Sequence, residues 1–155
     1  MRRADREITD PAKILAFLEQ EQILRVGFFD SGEIYIVPVN YGLSQQEGKT
    51  AFYFHGALAG RKYELAKACP KVGFEIDGNY RLLEHEPACK YSAAFQSVIG
   101  TGTLRLVEDE EEKRFGLSRV MKQTSGRDGW EFPEAAVNTV AVFRLDAEKL
   151  TCKAK

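Results

Sequence analysis

The sequence predicts a mainly β protein: one antiparallel sheet of about six strands, closed into a barrel, with three helices at its ends. Two observations support this. Short apolar or alternating runs recur from Ile23 to Asp146, separated by turn residues at hairpin spacing. Few crossover helices are left to join them, so neighbouring strands run antiparallel. No repeat or linker divides the chain, and residues 1–155 read as a single domain.

Thr9-Asp10-Pro11 opens the first helix, a capping residue followed by proline at the first helical position. Ile14, Leu15 and Leu18 form its buried stripe. Ile23 to Phe29 is a strand, Asp30-Ser31-Gly32 a turn, and Glu33 to Tyr41 the returning strand. That second strand is apolar on both faces, so both should be covered. Pro38 within it cannot donate to a ladder, which marks a bulge or an edge. A polar turn, Gln45 to Lys49, leads into Thr50 to His55, with Phe52 and Phe54 on one face and Tyr53 and His55 on the other. A helix from Gly60 to Cys69 follows, stopped by Pro70. Val72, Phe74 and Ile76 alternate along a half-buried strand that ends at Asp77-Gly78. Residues 80–96 show no period and read as a long loop. Ser97 to Val107 is a strand lightened by Gly100 and Gly102. Glu108 to Gln123 is a helix with acids in its first turn, as the helix dipole favours. Residues 124–136 are irregular and carry Trp130 and Phe132; Asn138 to Asp146 is the final strand.

Composition bounds the function. Hydrophobic residues make up 44% and charged residues 29%, the balance of a soluble globular domain. The net charge is -1, which leaves no basic field for nucleic acid. No apolar run spans a bilayer, and a cytoplasmic location is expected. Cys69, Cys89 and Cys152 are an odd set at wide spacing, neither a disulfide framework nor a zinc site. Gly42 to Thr50 ends like a phosphate loop, but its glycines are one residue too far apart and a strand follows where a helix is needed. Gly100-Thr101-Gly102 lacks the third glycine of a dinucleotide turn. His55 and His85 are the only histidines, and no spacing around them suggests a metal. The acidic run Glu108 to Glu112 reads as a solvated helix face.

One stretch carries chemistry: Tyr53-Phe-His-Gly-Ala-Leu-Ala-Gly-Arg-Lys62. A strand ends on His55, a Gly/Ala loop follows, and a helix opens on two cations. Cations there oppose the helix dipole. An anion held by free backbone N–H groups and by Arg61 and Lys62 would resolve the conflict. A phosphate site at a strand-to-helix junction is one reading; two solvated surface cations are the other.

Several segments together resemble one family. They are Tyr35-Ile-Val-Pro-Val-Asn-Tyr-Gly42, Tyr53-Phe-His-Gly-Ala57 with Gly60-Arg-Lys62, Val72-Gly-Phe-Glu-Ile-Asp-Gly78 and Ser97-Val-Ile-Gly-Thr-Gly102. They look like the pyridoxamine-phosphate-oxidase-like FMN-binding split barrels. Met1 to Ile8 and Trp130-Glu-Phe-Pro133 resemble the 5-nitroimidazole-resistance (Nim-type) branch. The resemblance implies a six-stranded antiparallel split barrel, mainly β with peripheral helices. It implies FMN, with Val37, Val39, Asn40 and Tyr41 along the isoalloxazine. His55 and Gly56 would lie beside the ring or ribityl chain, Arg61 and Lys62 on the phosphate, and Gln96 or Ser97 would bond the cofactor from the long strand. It further implies a homodimer with FMN at the interface and Trp130 packing across it. The expected activity is an NAD(P)H-dependent oxidoreductase acting on nitroaromatic, quinone or similar small acceptors, with His55 as the catalytic candidate. The alternatives are a non-catalytic FMN-binding or sensor protein, or a barrel that holds haem or a deazaflavin.

Overall fold

The computed structural model describes residues 3–155; Met1 and Arg2, which begin the N-terminal segment of the resemblance, lie outside the described residues. A two-residue strand β1 (Glu7–Ile8) precedes α1 (Pro11–Gln20). The Asp10 carboxylate accepts from the Ala12 amide at 2.9 Å, capping α1 as its sequence predicts. β2 (Ile23–Asp30) and β3 (Glu33–Asn40) form the expected hairpin. Its two-residue turn takes positive φ at Ser31 (53°) and Gly32 (95°), the primed geometry that suits strand twist. The chain continues through β4 (Gly42–Gln46), β5 (Lys49–Gly56), α2 (Arg61–Ala68), β6 (Lys71–Leu83) and β7 (Ser92–Leu106). It ends with α3 (Glu110–Ser125), α4 (Glu134–Val137) and β8 (Ala141–Ala154).

All pairings are antiparallel, in the order β3-β2-β6-β7-β8-β5-β4, with β1 added beside β8. The sheet is mainly β with few helices and does not close by hydrogen bonds; this is the split-barrel fold. Its two edges, β3 and β4, are consecutive in sequence and meet at Tyr41. One bent stretch of chain thus supplies both edges. Tyr41 is fully buried at the bend, edge-on to Phe52, and its hydroxyl donates to the Leu18 carbonyl at 2.5 Å. Pro38 sits on an edge strand, where its missing N–H is harmless.

β5 divides two cores. Phe52 and Phe54 point into the barrel with Leu24, Val26 and Phe143; Tyr53 points outward beneath α3 with Leu117, Val120 and Val142. Each phenylalanine buried this way contributes about 1.5–3 kcal/mol. The outer core closes because α3 approaches the sheet at two glycines. A Cβ on Gly42 would lie 2.2 Å from the Arg119 and Val120 backbone, and one on Gly116 would lie 2.6 Å from the Tyr53 ring. Glu112 fixes α3 by accepting from Tyr53 (3.0 Å), Arg105 (2.6 Å) and Arg144 (3.0 Å). Burial, with this bond, pushes the Tyr53 phenol up to about 12.

Four expectations need correction. Gln45 to Lys49 is not all turn: Gln45 and Gln46 end the strand Gly42–Gln46, Lys49 opens β5, and the turn is Glu47 and Gly48 alone. Residues 80–96 are not a loop: β6 runs on to Leu83 and pairs with β7 from Ser92, beyond a bulge between Gly78 and Arg81. Only 84–91 lies outside the two strands, and it holds a single 3-10 turn at Ala88–Lys90. The last strand runs past Asp146 to Ala154. β3 is covered on one face only: Tyr35, Val37 and Val39 turn inward, while Ile34 and Ile36 are 67% and 60% exposed.

Candidate functional site

The β5–α2 junction brings His55, Gly56, Arg61 and Lys62 together. The N-cap of α2 is Gly60, at φ 105°, which has no side chain to cap the first amides. Asp10 caps α1 and Asp109 caps α3, through the Glu112 amide at 2.8 Å. Among these three helices, α2 alone starts with its first N–H groups open to an external acceptor.

The two cations differ. Arg61 is already engaged: Nε donates to Asp30 at 2.7 Å, Nη2 lies 3.6 Å from Glu33, and the guanidinium stacks 4.4 Å over Tyr35. It ties α2 to the β2–β3 turn. Lys62 has no carboxylate partner within 4.0 Å among the described residues. Its ammonium lies 5.5 Å from the Phe54 ring centre and 5.2 Å from that of Phe143. Burial holds its pKa below the usual lysine value. Gly56 makes room for it, since a Cβ there would meet Nζ at 2.8 Å. An anion at the start of α2 would give Lys62 the counter-charge it lacks.

His55 is exposed at its outer edge, while its imidazole lies against a chamber on the opposite side of β5 from Lys62. Burial first, and the Lys62 charge second, lower its pKa, so the ring is neutral at pH 7 with one donor and one acceptor nitrogen.

The other expected site residues lie apart from this group. Val37 and Val39 point into the barrel, leaving only their backbone for a ligand. Asn40 is exposed and donates to the Gln22 carbonyl at 3.3 Å; Tyr41 is spent on Leu18. Gln96 contacts Cys152 and Asn79, and Ser97 is buried in β7. Trp130 donates to the Arg127 carbonyl at 3.0 Å under the Arg127 guanidinium. Sequence reasoning missed Phe143, which lies under Lys62, and the trio Asp30, Glu33 and Tyr35 that holds Arg61. No local signal marks such long-range partners.

A cleft of about 550 Å³ over Ser44, Lys49 and Arg144 is a weaker candidate despite its size. Its arginine is already matched by Glu112 at 3.0 Å and Asp146 at 2.7 Å. No cluster of metal-ligating side chains occurs among the described residues, and no helix there is long and apolar enough to cross a membrane.

The Pyridoxamine 5'-phosphate oxidase family model matches residues 10–154. The chain belongs to that family. Among curated proteins no relative matches. Solved structures do. A candidate 5-nitroimidazole antibiotic resistance protein from Bacteroides thetaiotaomicron is 27% identical, with a TM-score of 0.82 over 96% of this chain and 86% of that one. The flavocytochrome Anf3 from Azotobacter vinelandii is 21% identical, with a TM-score of 0.80 over 100% of this chain and 72% of that one. A FAD-binding protein from Mesorhizobium loti is 20% identical, with a TM-score of 0.68 over 97% of both chains. The last two share the fold with this family member.

Proposed function

We propose that this chain is a flavin-binding oxidoreductase of small acceptors such as nitroaromatics or quinones, with FMN as its cofactor. The observation that carries the reading is the uncapped start of α2 beside Lys62, which has no carboxylate partner among the described residues: together they make a cationic cradle for a phosphate. It fits a phosphorylated flavin better than a haem. The likeness to the flavin-binding and nitroimidazole-resistance proteins supports the same reading.

In this assignment Lys62 and the first amides of α2 hold the phosphate. Arg61 keeps α2 in place by its bonds to Asp30 and Glu33, and Gly56 gives Lys62 its position. The backbone of Val37 to Tyr41, together with Asn40, lines the ring. Bound there, the flavin would supply the electron transfer. His55, whose imidazole lies across β5 from Lys62, is the residue we assign to orient an acceptor and hold a proton at a ring nitrogen. NAD(P)H is the proposed donor.

The assembly we assign is a homodimer with the cofactor at its interface, which gives Gln96, Ser97 and Trp130 a place against the partner's flavin. The bare outer face of β3, β2, β6 and β7 supports it. There Ile34, Ile36 and Ile99 stand beside a trough of about 520 Å³ floored by Gly27, Gly73 and Gly100. Ridges and a groove on one face suit a two-fold interface.

The test is the purified protein's spectrum and size. Flavin absorption near one FMN per chain, in a dimer by sedimentation, is expected, with Gly73→Arg monomeric. Colourless protein that takes up no added FMN, or a Soret band, would overturn the flavin assignment. Anaerobic bleaching by NAD(P)H and reoxidation by a nitroimidazole separate an enzyme from a binder; absence of both leaves only a binder.

A further inference from the structure

Beyond Gly78, β6 and the start of β7 form an arm, and its root is pinned by the end of α1. Between Gly78 and Arg81 the pairing with β7 slips, so Asn79 and Tyr80 have no β7 partner and Asn79 takes φ 56°. Past the slip, the pairs Arg81–Ala94, Leu82–Ala93 and Leu83–Ser92 make up the arm. Tyr80, Leu82 and Tyr91 are exposed, so burial contributes little to holding it. At the root, Gln20 donates to Asn79 Oδ1 at 2.9 Å, and Asn79 Nδ2 donates to Gln96 Oε1 at 3.3 Å. Glu21 follows at the C-cap of α1, and its carboxylate lies directly on Gly78: a Cβ there would fall 2.1 Å from Oε1. That end of α1 is fixed in turn. Gln123 of α3 shares its amide hydrogens among the Leu18, Glu19 and Glu21 carbonyls, at 2.8, 3.0 and 2.7 Å.

Among the described residues nothing donates to the Glu21 carboxylate, and the charge it faces, Asp77 of β6, has its own sign. Asp77 is held by Arg25 of β2, which also bonds Glu75 at 3.0 Å. The bend before β4 offers only the Tyr41 phenol, which burial keeps protonated, and α3 only the Gln123 amide. We propose that Glu21 is a pH-sensitive latch on the arm: protonated, it clamps the arm's root to α1, and ionised, it releases it. The ionised carboxylate repels Asp77 across the root and has no donor to satisfy it. The protonated one carries an O–H that the Asp77 carboxylate can accept. Burial first, and the Asp77 charge second, hold the Glu21 pKa above its ordinary 4.5. The closed root therefore binds the proton more tightly than the open one. Its clamp is complete below the ordinary value and is lost as pH rises through the raised one. That the latch reaches the partner's flavin through Gln96 rests on the flavin reading above; the latch itself does not.

The test is amide hydrogen exchange of the full chain, free of flavin, read by NMR on residues 81–83 and 92–94 from about pH 4 to about pH 7.5. Rates are corrected for the intrinsic effect of pH, and the β2–β3 hairpin is the internal reference. Protection of the arm relative to the hairpin is expected to fall roughly 2- to 5-fold as pH rises, the scale of a charge pair near the surface. Glu21→Gln, neutral and of the same shape, should keep the higher protection throughout. Glu75→Gln, which spares Glu21 and Asp77, should leave the response in place. If Glu21→Gln does not fold, Asp77→Asn, which removes the opposing charge, must shrink the response in its stead. An arm whose protection ignores pH, a response that survives Glu21→Gln, or one that Glu75→Gln abolishes overturns the proposal. A protein that takes up no flavin but shows the response refutes the flavin reading and keeps the latch; one that binds FMN with an arm indifferent to pH does the reverse.

Discussion

Replacing Lys62 by methionine should separate binding from stability. The ammonium makes no ion pair among the described residues and sits partly buried against the stacked rings of Phe54 and Phe143, an environment that disfavours its charge. A methionine fits the same slot and makes favourable contacts with aromatic rings. The flavin-free variant should therefore melt no lower than the parent. Its phosphate grip should suffer, because a lost charge-assisted hydrogen bond costs about 1.5–3 kcal/mol. That corresponds to a fall of roughly 10- to 150-fold in FMN affinity. Riboflavin, which has no phosphate, should bind as before. Arg61→Met is the contrast. Its guanidinium already bonds Asp30 and Glu33 and stacks on Tyr35, so removing it should loosen the β2–β3 turn and affect FMN less. Quenching of flavin fluorescence on titration measures all four affinities, and urea melts give the stabilities. If Arg61→Met costs FMN more affinity than Lys62→Met, or if Lys62→Met weakens both flavins equally, the division of labour between the two cations is wrong.

Three further outcomes are expected. His55 has a folded pKa below its ordinary 6.5, so as pH falls through that value the unfolded chain takes up a proton that the folded chain refuses. Stability should drop there and level off below the folded pKa; His55→Gln should lack that segment of the pH profile in urea melts, and an unchanged profile would refute the desolvation. Glu112→Ala strands Arg105, leaves Arg144 with Asp146 as its remaining carboxylate, and should lower stability by about 1–3 kcal/mol in chemical denaturation, less than a fully buried pair because Arg105 is 43% exposed. Gly42→Ala should cost about 1–3 kcal/mol or more through overpacking against α3, read as a lower melting temperature; an unchanged one would refute the close approach.

Much of the fold was legible because it is marked locally. Asp10-Pro11 and Ser31-Gly32 fix a helix start and a hairpin by backbone chemistry alone, and the alternation of Val72, Phe74 and Ile76 follows from a sheet with one buried face. Gly42–Gln46 was not legible, since Ser44, Gln45 and Gln46 look like turn residues; pairing with β5 and the closeness of α3 make them a strand. The β6–β7 arm escaped because Tyr80 and Leu82 are both exposed, at 72% and 48%, which removes the alternation that burial imposes. At the site, the cationic start of α2 was visible as a local conflict with the helix dipole. What distinguishes Arg61 from Lys62 was not: Asp30 lies 31 residues before its partner, and Phe143 arrives from the last strand.

The place of β8 in the strand order bears on how the chain is made. β7 and β5 meet only through it, so β3, β2, β6 and β7 on one side and β5 and β4 on the other share no ladder until it is inserted. Yet β8 is the last of these strands to leave the ribosome. Synthesis proceeds at about 5–20 residues per second, so for some seconds the nascent chain holds two half-sheets, each with a raw edge where β8 belongs. Those edges are templates for mispairing with another chain. Phe143, beneath Lys62, is delivered by the same strand, so the cationic cradle cannot be complete before the barrel is. A chain stopped before Ala141 would present two sticky half-sheets and no formed cationic cradle, and would be a substrate for chaperones and proteases rather than a weakened version of the finished protein.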